Sequence, residues 1–118
     1  MSKILIVDDD AMMLRMAGFI LKKKGYETVT ALFGGEALNV IGSDRIDLVF
    51  LDVEMPGMNG LQTLETLRGQ PETAGLPVCL MSGTVDETIQ TQAETLHAVG
   101  VIMKPLNPEQ MLRIAASV

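Results

Sequence analysis

Five short, largely apolar runs alternate with longer segments of helical spacing, and this alternation constrains the fold more than any other feature. The runs are residues 4–7, 28–32, 48–51, 78–81 and 101–103. Runs of this length predict strands, and the segments between them place apolar residues three or four positions apart, as helices do. Continuous apolar strands are typical of a parallel sheet that helices cover on both faces. We therefore predict an α/β fold, a (βα)5 doubly wound five-stranded parallel sheet in a three-layer sandwich.

Several helix ends are also marked in the sequence. The first helix should bury a stripe made of Met13, Met16, Ala17, Ile20 and Leu21. Gly25 and Gly69 are placed to follow helices, and Asn107 precedes Pro108 as a predicted N-cap, with Gln110 as its capping-box partner. The last helix, predicted over residues 108–118, lacks a glycine or basic C-cap, which leaves open a native chain that continues into an effector domain.

Length and charge limit the class of protein. With 118 residues the chain can build one core, so we predict one domain over residues 1–118, and no apolar run is long enough to cross a membrane. The net charge is -6, and the lysines at 22–24 suit a helix C-terminus, so we expect this domain to contact no nucleic acid. The chain start lacks a secretory signal and Cys79 has no partner cysteine, which predicts the cytoplasm and a thiol that is inert in the core.

Chemically active side chains follow four of the five apolar runs. They are Asp8, Asp9 and Asp10, then Asp52, Ser82 and Lys104. Because ligands of open α/β sheets bind beyond the carboxyl ends of the strands, we expect one crevice to hold these groups. Converging carboxylates need a cation to stay ionised, and oxygen ligands without His or Cys favour Mg²⁺. A lysine and a hydroxyl beside such a metal suit phosphoryl transfer.

Together these motifs resemble the receiver domain of two-component response regulators, over the whole chain. The resemblance depends on Asp8-Asp9, the block at residues 52–60 (DVEMPGMNG), Ser82 and Lys104-Pro105. It implies a flavodoxin-like, CheY-like fold with strand order 2-1-3-4-5. The alternative, that each acidic residue only caps the helix that follows it, would leave the joint occurrence of Asp52, Ser82 and Lys104 at three further strand ends unexplained.

The resemblance also implies a role for each acidic residue of the motifs. Asp52 would be the nucleophile that accepts the phosphoryl group, so that the chain labels itself and is not a turnover enzyme. Asp9 and Asp52 would bind Mg²⁺ directly, Asp8 largely through water, and Glu54 through its backbone carbonyl. Asp10 is expected only to cap the first helix.

Further residues would stabilise the phosphoryl group or tune its lifetime. By the same resemblance, Ser82 and Lys104 would bond to phosphoryl oxygens, and the Lys104-Pro105 peptide would be cis. Glu54 and Thr84, each two residues beyond a site residue, would flank the attacking water and set the phosphoryl lifetime.

The predicted response to phosphorylation lies in the loop after Ser82 and in the fourth helix. Gly83 permits this loop to move, and residues 85–93 carry only a thin apolar stripe. Many receivers carry an aromatic residue three positions before the lysine, whereas this chain has Val101 there. We therefore expect a switch without a rotating ring; the alternative is a phosphate sink or shuttle in a relay.

Partners follow from the resemblance and from the first helix. Met12, Leu14 and Phe19 are apolar in addition to the predicted core stripe, so some of them must face outward. This side would dock a sensor histidine kinase or a histidine phosphotransfer protein, with an effector domain or protein downstream; ordinary exposure of apolar residues is the alternative. His97 follows the fourth helix, where we predict a helix-terminal role and not phosphotransfer.

Two other functions share parts of the pattern. A flavodoxin-like cofactor module would need a phosphate-binding loop of hydroxyls and amides after the first strand, where this chain has three aspartates that would repel a phosphate. An aspartate-nucleophile phosphatase would use the spacing of Asp8 and Asp10, but it would leave the block at Asp52 unexplained and would need a cap insertion.

Overall fold

Five strands and five helices alternate strictly along the chain in the computed structural model, which describes residues 2–118. Met1, the first residue of the predicted domain, lies outside the described residues. The strands are β1 Lys3–Val7, β2 Glu27–Ala31, β3 Leu48–Asp52, β4 Val78–Ser82 and β5 Gly100–Met103. The helices are α1 Ala11–Lys23, α2 Gly34–Ser43, α3 Gly60–Arg68, α4 Glu87–Thr95 and α5 Pro108–Ala116. The predicted order of elements is confirmed.

The strands form one parallel sheet in the order β2-β1-β3-β4-β5. Alternate residues of the central strands enter two separate cores. Ile4 and Phe50 belong to the core under α1 and α5, whereas Leu5 and Leu51 belong to the core under α2, α3 and α4. The predicted doubly wound, three-layer sandwich with strand order 2-1-3-4-5 is therefore confirmed.

The pairing of the strands brings their carboxyl ends to one edge of the sheet. Val7 pairs with Leu51 across β1 and β3, and Asp52 pairs with Met81 across β3 and β4. Ser82 pairs with Met103 at the ends of β4 and β5. Residues 8, 52, 82 and 104 therefore lie at the same edge, as expected from a parallel sheet.

The buried face of α1 differs from the predicted stripe at one methionine. Met16 is 45% exposed, whereas Leu14 is buried together with Gly18. Gly18 lies against β2, where an added Cβ would meet Thr28 Oγ1 at 3.9 Å. Because α1 approaches the sheet through Gly18, its buried face turns toward Leu14 and carries Met16 outward, and the prediction that Met16 lies in the core is wrong.

Side-chain caps begin several helices. Asp10 accepts a hydrogen bond from the Met12 N–H at 3.0 Å, so its predicted capping role is confirmed. Asn107 Oδ1 accepts from the N–H groups of both Glu109 and Gln110, and within residues 2–118 the predicted return bond from the Gln110 side chain does not form. A complete capping box is found instead at the start of α3, between Asn59 and Gln62.

The α4 helix is weakly anchored, as predicted. It begins after the Asp86 cap, which accepts from the Ile89 N–H at 2.9 Å, and Ala93 is its single buried residue. It ends before His97, which has a φ of 56°, the left-handed backbone typical of a helix end. Few buried contacts mean that this helix can move at a low free-energy cost.

The C-terminal end of α4 is nevertheless tied to its neighbours by the last side chain of α3. Arg68 donates from Nε to the Leu96 carbonyl at 2.7 Å and from its guanidinium to the His97 carbonyl at 3.3 Å. The same guanidinium reaches the carbonyls of Thr73 and Leu76 in the loop before β4. Arg68 therefore holds α3, this loop and the end of α4 together.

The longest helix, α1, has 13 residues. No helix of the described chain, residues 2–118, combines the length and the apolar character that a membrane crossing requires.

Candidate functional site

Three carboxylates meet at the carboxyl edge of the sheet. Asp8 and Asp9 follow β1 and Asp52 ends β3, and one oxygen from each lies within 4.8 Å of the others. Asp8 and Asp52 are buried, whereas Asp9 is exposed. The predicted convergence of these three residues is confirmed.

Backbone N–H groups fix the two buried carboxylates in the same way. Oδ1 of Asp8 accepts from the Asp10 N–H at 3.0 Å, and Oδ1 of Asp52 accepts from the Glu54 N–H at 3.1 Å. Each bond comes from the residue two positions later, where the chain turns away from its strand. One oxygen of each carboxylate is therefore occupied by the backbone, and Oδ2 is left toward the crevice.

The Lys104 ammonium lies between these two free oxygens. Its Nζ is 2.8 Å from Oδ2 of Asp8 and 3.1 Å from Oδ2 of Asp52. Over residues 2–118 neither oxygen has another hydrogen-bonding partner. Burial by itself lowers the pKa of Lys104, but its bonds to the two aspartates outweigh that effect, so its pKa is raised above the ordinary value.

The charge of the site is incompletely balanced by the protein. Burial, aided by the nearby Asp8, raises the pKa of Asp52 to about 6 even though Lys104 opposes the shift. The single ammonium of Lys104 pairs with Asp8 and Asp52, and the group contains a third carboxylate, Asp9. The buried oxygens of Asp8 and Asp52 share a single cation, and exposed Asp9 lies beside them. The group contains neither His nor Cys. Such a set of oxygens fits a hard divalent metal such as Mg²⁺.

Ser82 ends β4 beside this crevice, but its hydroxyl is engaged elsewhere. Ser82 Oγ lies within hydrogen-bonding distance of two acceptors, Oε2 of Glu54 and the Thr84 carbonyl oxygen. The Gly83 N–H donates to Oε1 of Glu54 at 2.8 Å. Ser82 Oγ also accepts from the Thr84 N–H at 3.1 Å. The structure therefore brings Ser82 to Glu54, and in the described chain Asp52 is not among its hydrogen-bonding partners.

Gly60 permits α3 to begin directly against the end of β3. Its N–H donates to the Val53 carbonyl at 3.1 Å, and an added Cβ would lie 2.1 Å from the Asp52 carbonyl oxygen. Sequence reasoning missed this role of Gly60, although its place after the Asn59 cap is a usable signal. It also missed the bond between the Glu54 carboxylate and Ser82, and it missed Arg68, since neither follows from a periodic pattern.

The remaining predicted residues lie around the crevice. The Lys104-Pro105 peptide is cis, as expected, and the Lys104 N–H bonds to the Ser82 carbonyl at 2.8 Å. Gly83 and Thr84 are exposed in the loop after β4, and Val101 is half-buried against the core under α4.

Cys79 lies outside the crevice, within the core under α1 and α5. Its side chain is fully buried, and this burial raises the pKa of the thiol to about 12. The thiol therefore stays protonated, which agrees with the inert core role predicted for it.

An apolar surface borders the crevice on the α1 side. Met12 is 71% exposed and Phe19 is 66% exposed. Met12 and Met16 line an open cavity with Pro105 and the Lys104 side chain. Part of the apolar side of α1 thus faces outward next to the carboxylates.

Comparison with known proteins agrees with this arrangement. The family model described as the response regulator receiver domain matches residues 4–116. Protein PilH of Pseudomonas aeruginosa is 30% identical over 113 residues, which cover 96% of this chain and 93% of that protein. The DNA-binding response regulator MtrA of Mycobacterium tuberculosis is 33% identical over 110 residues, which cover 93% of this chain and 47% of MtrA. The chain thus spans about half the length of MtrA.

Solved structures show the same similarity in three dimensions. The chemotaxis protein CheY4 of Vibrio cholerae superposes with a TM-score of 0.93 at 31% identity, covering 100% of this chain and 98% of that chain. A response regulator receiver protein from Pseudomonas putida gives a TM-score of 0.94 at 26% identity, covering 99% and 97%. Because the family model matches residues 4–116, nearly the whole of this chain, the chain belongs to the receiver domains of two-component response regulators.

Proposed function

We propose that the chain, as one receiver domain over residues 1–118, is a phosphorylation-operated signalling switch. In this proposal Asp52 accepts a phosphoryl group from a phosphohistidine of a partner. The P–N bond to the imidazole breaks, a P–O bond to the Asp52 carboxylate forms, and the departing imidazole nitrogen takes a proton from solvent. The observation that carries the proposal is the buried Asp52 carboxylate beside Asp8, Asp9 and the Lys104 ammonium.

The acidic residues would hold Mg²⁺ for this reaction. Asp9 and Asp52 would be direct ligands, Asp8 would act largely through water, and Glu54 would add its backbone carbonyl. When bound, Mg²⁺ supplies positive charge for the phosphoryl oxygens and the shared carboxylates. The incomplete charge balance of the site supports this assignment, because Lys104 pairs with Asp8 and Asp52 while a third carboxylate, Asp9, lies beside them.

The chain's own groups would stabilise and tune the phosphoryl group. Lys104 already reaches Oδ2 of Asp52, so its ammonium is placed to bind an oxygen of a group attached there. The Ser82 hydroxyl would donate a hydrogen bond to another phosphoryl oxygen once its bond to Glu54 is broken. Glu54 and Thr84 would set the phosphoryl lifetime, and Gly83 would permit the loop to move.

The proposed partners are a sensor histidine kinase or a histidine phosphotransfer protein, in the cytoplasm. Met12 and Met16, exposed on α1, line a cavity beside Lys104 and would dock such a partner, with an effector domain or protein downstream. DNA binding is named for MtrA, which is about twice as long as the matched region, and we assign no nucleic-acid contact to this domain.

Acetyl phosphate labelling tests the proposal. With Mg²⁺, mass spectrometry should show the addition of one phosphoryl group at Asp52, and chelation of the metal or Asp52→Asn should abolish it. Asp44→Asn, at the opposite end of the sheet, is the matched control and should keep the label. Labelling that persists in Asp52→Asn contradicts the proposal, and repeated release of product from phosphate esters would indicate a phosphatase instead.

A phosphate sink or shuttle in a relay is the second candidate, because Val101 replaces the aromatic residue through which many receivers signal. Beryllofluoride with Mg²⁺ mimics the phosphoryl group and separates the two functions. For a switch, NMR shifts should change across residues 83–97 as well as at the metal site. Changes confined to the metal site would favour the sink.

A further inference from the structure

We infer that the Glu54 carboxylate holds the loop after β4 in its unphosphorylated position by occupying two of its donors. We call this pair of hydrogen bonds, from Ser82 Oγ and from the Gly83 N–H, the Glu54 latch. The latch itself is a property of the unmodified chain. Its release, however, rests on the proposed function, because an anion on Asp52 is what would displace it.

Strand pairing explains why Glu54 meets these donors. Asp52 pairs with Met81, and two residues beyond each of them Glu54 meets Gly83, whose N–H is 2.8 Å from Glu54 Oε1. The backbone of Glu54 is bonded to Asp52 Oδ1, while its side chain is bonded to the next loop. Glu54 therefore contacts the proposed phosphoacceptor and the mobile loop at the same time.

The latch and a phosphoryl group compete for one proton. A serine hydroxyl has a single proton to donate, and in the unmodified chain the Glu54 carboxylate and the Thr84 carbonyl both lie within its reach. A phosphoryl group on Asp52 would carry about -1.5 to -2 charges beside Glu54, in place of the single negative charge of the ionised carboxylate. Like charges repel, and the hydroxyl cannot serve both acceptors. Phosphorylation would therefore move Ser82 to the phosphoryl oxygen and free the Gly83 N–H.

Release of the latch would act on α4 through a short connection. Ser82 and Gly83 are followed by Thr84, Val85 and the Asp86 cap, after which α4 begins at Glu87. The helix has one buried residue, so little packing opposes a change at its N-terminal end. Glu54 thus acts as a positioning residue for the start of α4.

Amide exchange in the unmodified, metal-free protein tests the latch directly. Solvent exchange of the Gly83 N–H, followed by NMR, should become about tenfold faster in Glu54→Ala, which removes the acceptor. Glu54→Asp keeps the charge but is one methylene shorter, and it should show a similar increase. Glu87→Gln removes a nearby carboxylate that is not bonded to the loop and should leave Gly83 unchanged. Unchanged exchange in both Glu54 variants would overturn the latch.

Affinity for beryllofluoride with Mg²⁺ tests its release. Because Glu54→Asp has no latch to break, it should bind the mimic about tenfold more tightly than the wild type. If Glu54 acted only through its charge, Glu54→Asp would match the wild type, and that result would overturn the latch. Failure of the wild type to bind the mimic would overturn the proposed function instead, and Gly83 exchange would still decide whether the latch exists.

Discussion

Lys104 bridges to Asp8 across two intervening strands. Its Nζ lies 2.8 Å from Asp8 Oδ2, although β5, which precedes Lys104, is separated from β1 by β4 and β3 in the sheet. The same ammonium is 3.1 Å from Asp52 Oδ2 at the end of β3. One side chain therefore joins three strand ends, so its removal affects stability as well as chemistry.

Replacement of Lys104 should destabilise the metal-free protein. We expect Lys104→Ala to lower the free energy of unfolding by about 2 kcal/mol, because it removes the cation paired with two buried carboxylates; the partial exposure of Lys104 keeps this below the cost for a fully buried pair. Urea denaturation measures the change, and added Mg²⁺ should restore part of it. Arg45→Ala, which breaks an exposed pair with Asp47, is the control and should have no resolvable effect. Equal stability of Lys104→Ala and the wild type would contradict this prediction.

The stability of the metal-free protein should depend on the titration of Asp52. Its pKa of about 6 in the folded chain exceeds the ordinary value, so the folded state binds this proton more tightly than the unfolded state. The contribution of Asp52 to the free energy of unfolding should therefore fall, by about 2 to 3 kcal/mol, as pH rises from about 4 to about 6. Lys104 titrates far above this range and adds nothing to the slope.

Asp52→Asn isolates this effect. The variant lacks the titrating group, so its unfolding free energy should change less between about pH 4 and 6 and should exceed that of the wild type at pH 7. Urea denaturation at several pH values, with a chelator present, measures both quantities. Identical slopes for the two proteins would assign the pH dependence to other groups.

Asp9 should contribute to Mg²⁺ binding, whereas Asp10 should contribute to stability. Asp9→Ala should abolish Mg²⁺ binding, measured by calorimetric titration, with little change in stability because Asp9 is exposed. Asp10→Ala should keep Mg²⁺ binding but lose about 1 kcal/mol of stability, because Asp10 caps α1. Normal Mg²⁺ binding by Asp9→Ala would show that it is not a ligand.

A methyl group at Gly60 should displace the backbone that carries Asp52. Gly60→Ala places a Cβ 2.1 Å from the Asp52 carbonyl oxygen, so α3 or the end of β3 must shift. We expect a loss of roughly 2 kcal/mol or more in unfolding free energy, together with weaker Mg²⁺ binding. Gly42→Ala, in α2 with open space around it, is the control and should be neutral or stabilising. A Gly60→Ala protein as stable as the wild type would contradict the close approach.

The central strands were predictable because burial alone dictates their sequence. All five residues of β3 and all five of β4 are buried, so their apolar runs stand out from the helices. The edge strand β2 was placed one residue late, since it begins at polar Glu27, which pairs with Lys3. Met16 was misplaced because helical spacing gives the width of an apolar face but not which edge of it meets the sheet.

The site was predictable where strand ends determine it and unpredictable where loops do. Asp8, Asp52 and Lys104 meet because parallel strands bring their carboxyl ends to one edge. The bond between Glu54 and Ser82 depends on the path of two loops after their strands, and no periodicity in the sequence reports that path.

The hydrogen bonds of Arg68 determine how α4 can move. They fix the carbonyls at the C-terminal end of the helix, so a displacement that starts after Ser82 must rotate α4 about that end and cannot translate it as a whole. With nine residues, α4 is roughly 13 Å long. A shift of about 2 Å at its first turn therefore tilts the helix axis by about 8°. Arg68 thus serves as the pivot, and the largest change in surface shape falls at residues 86–90, far from the pivot.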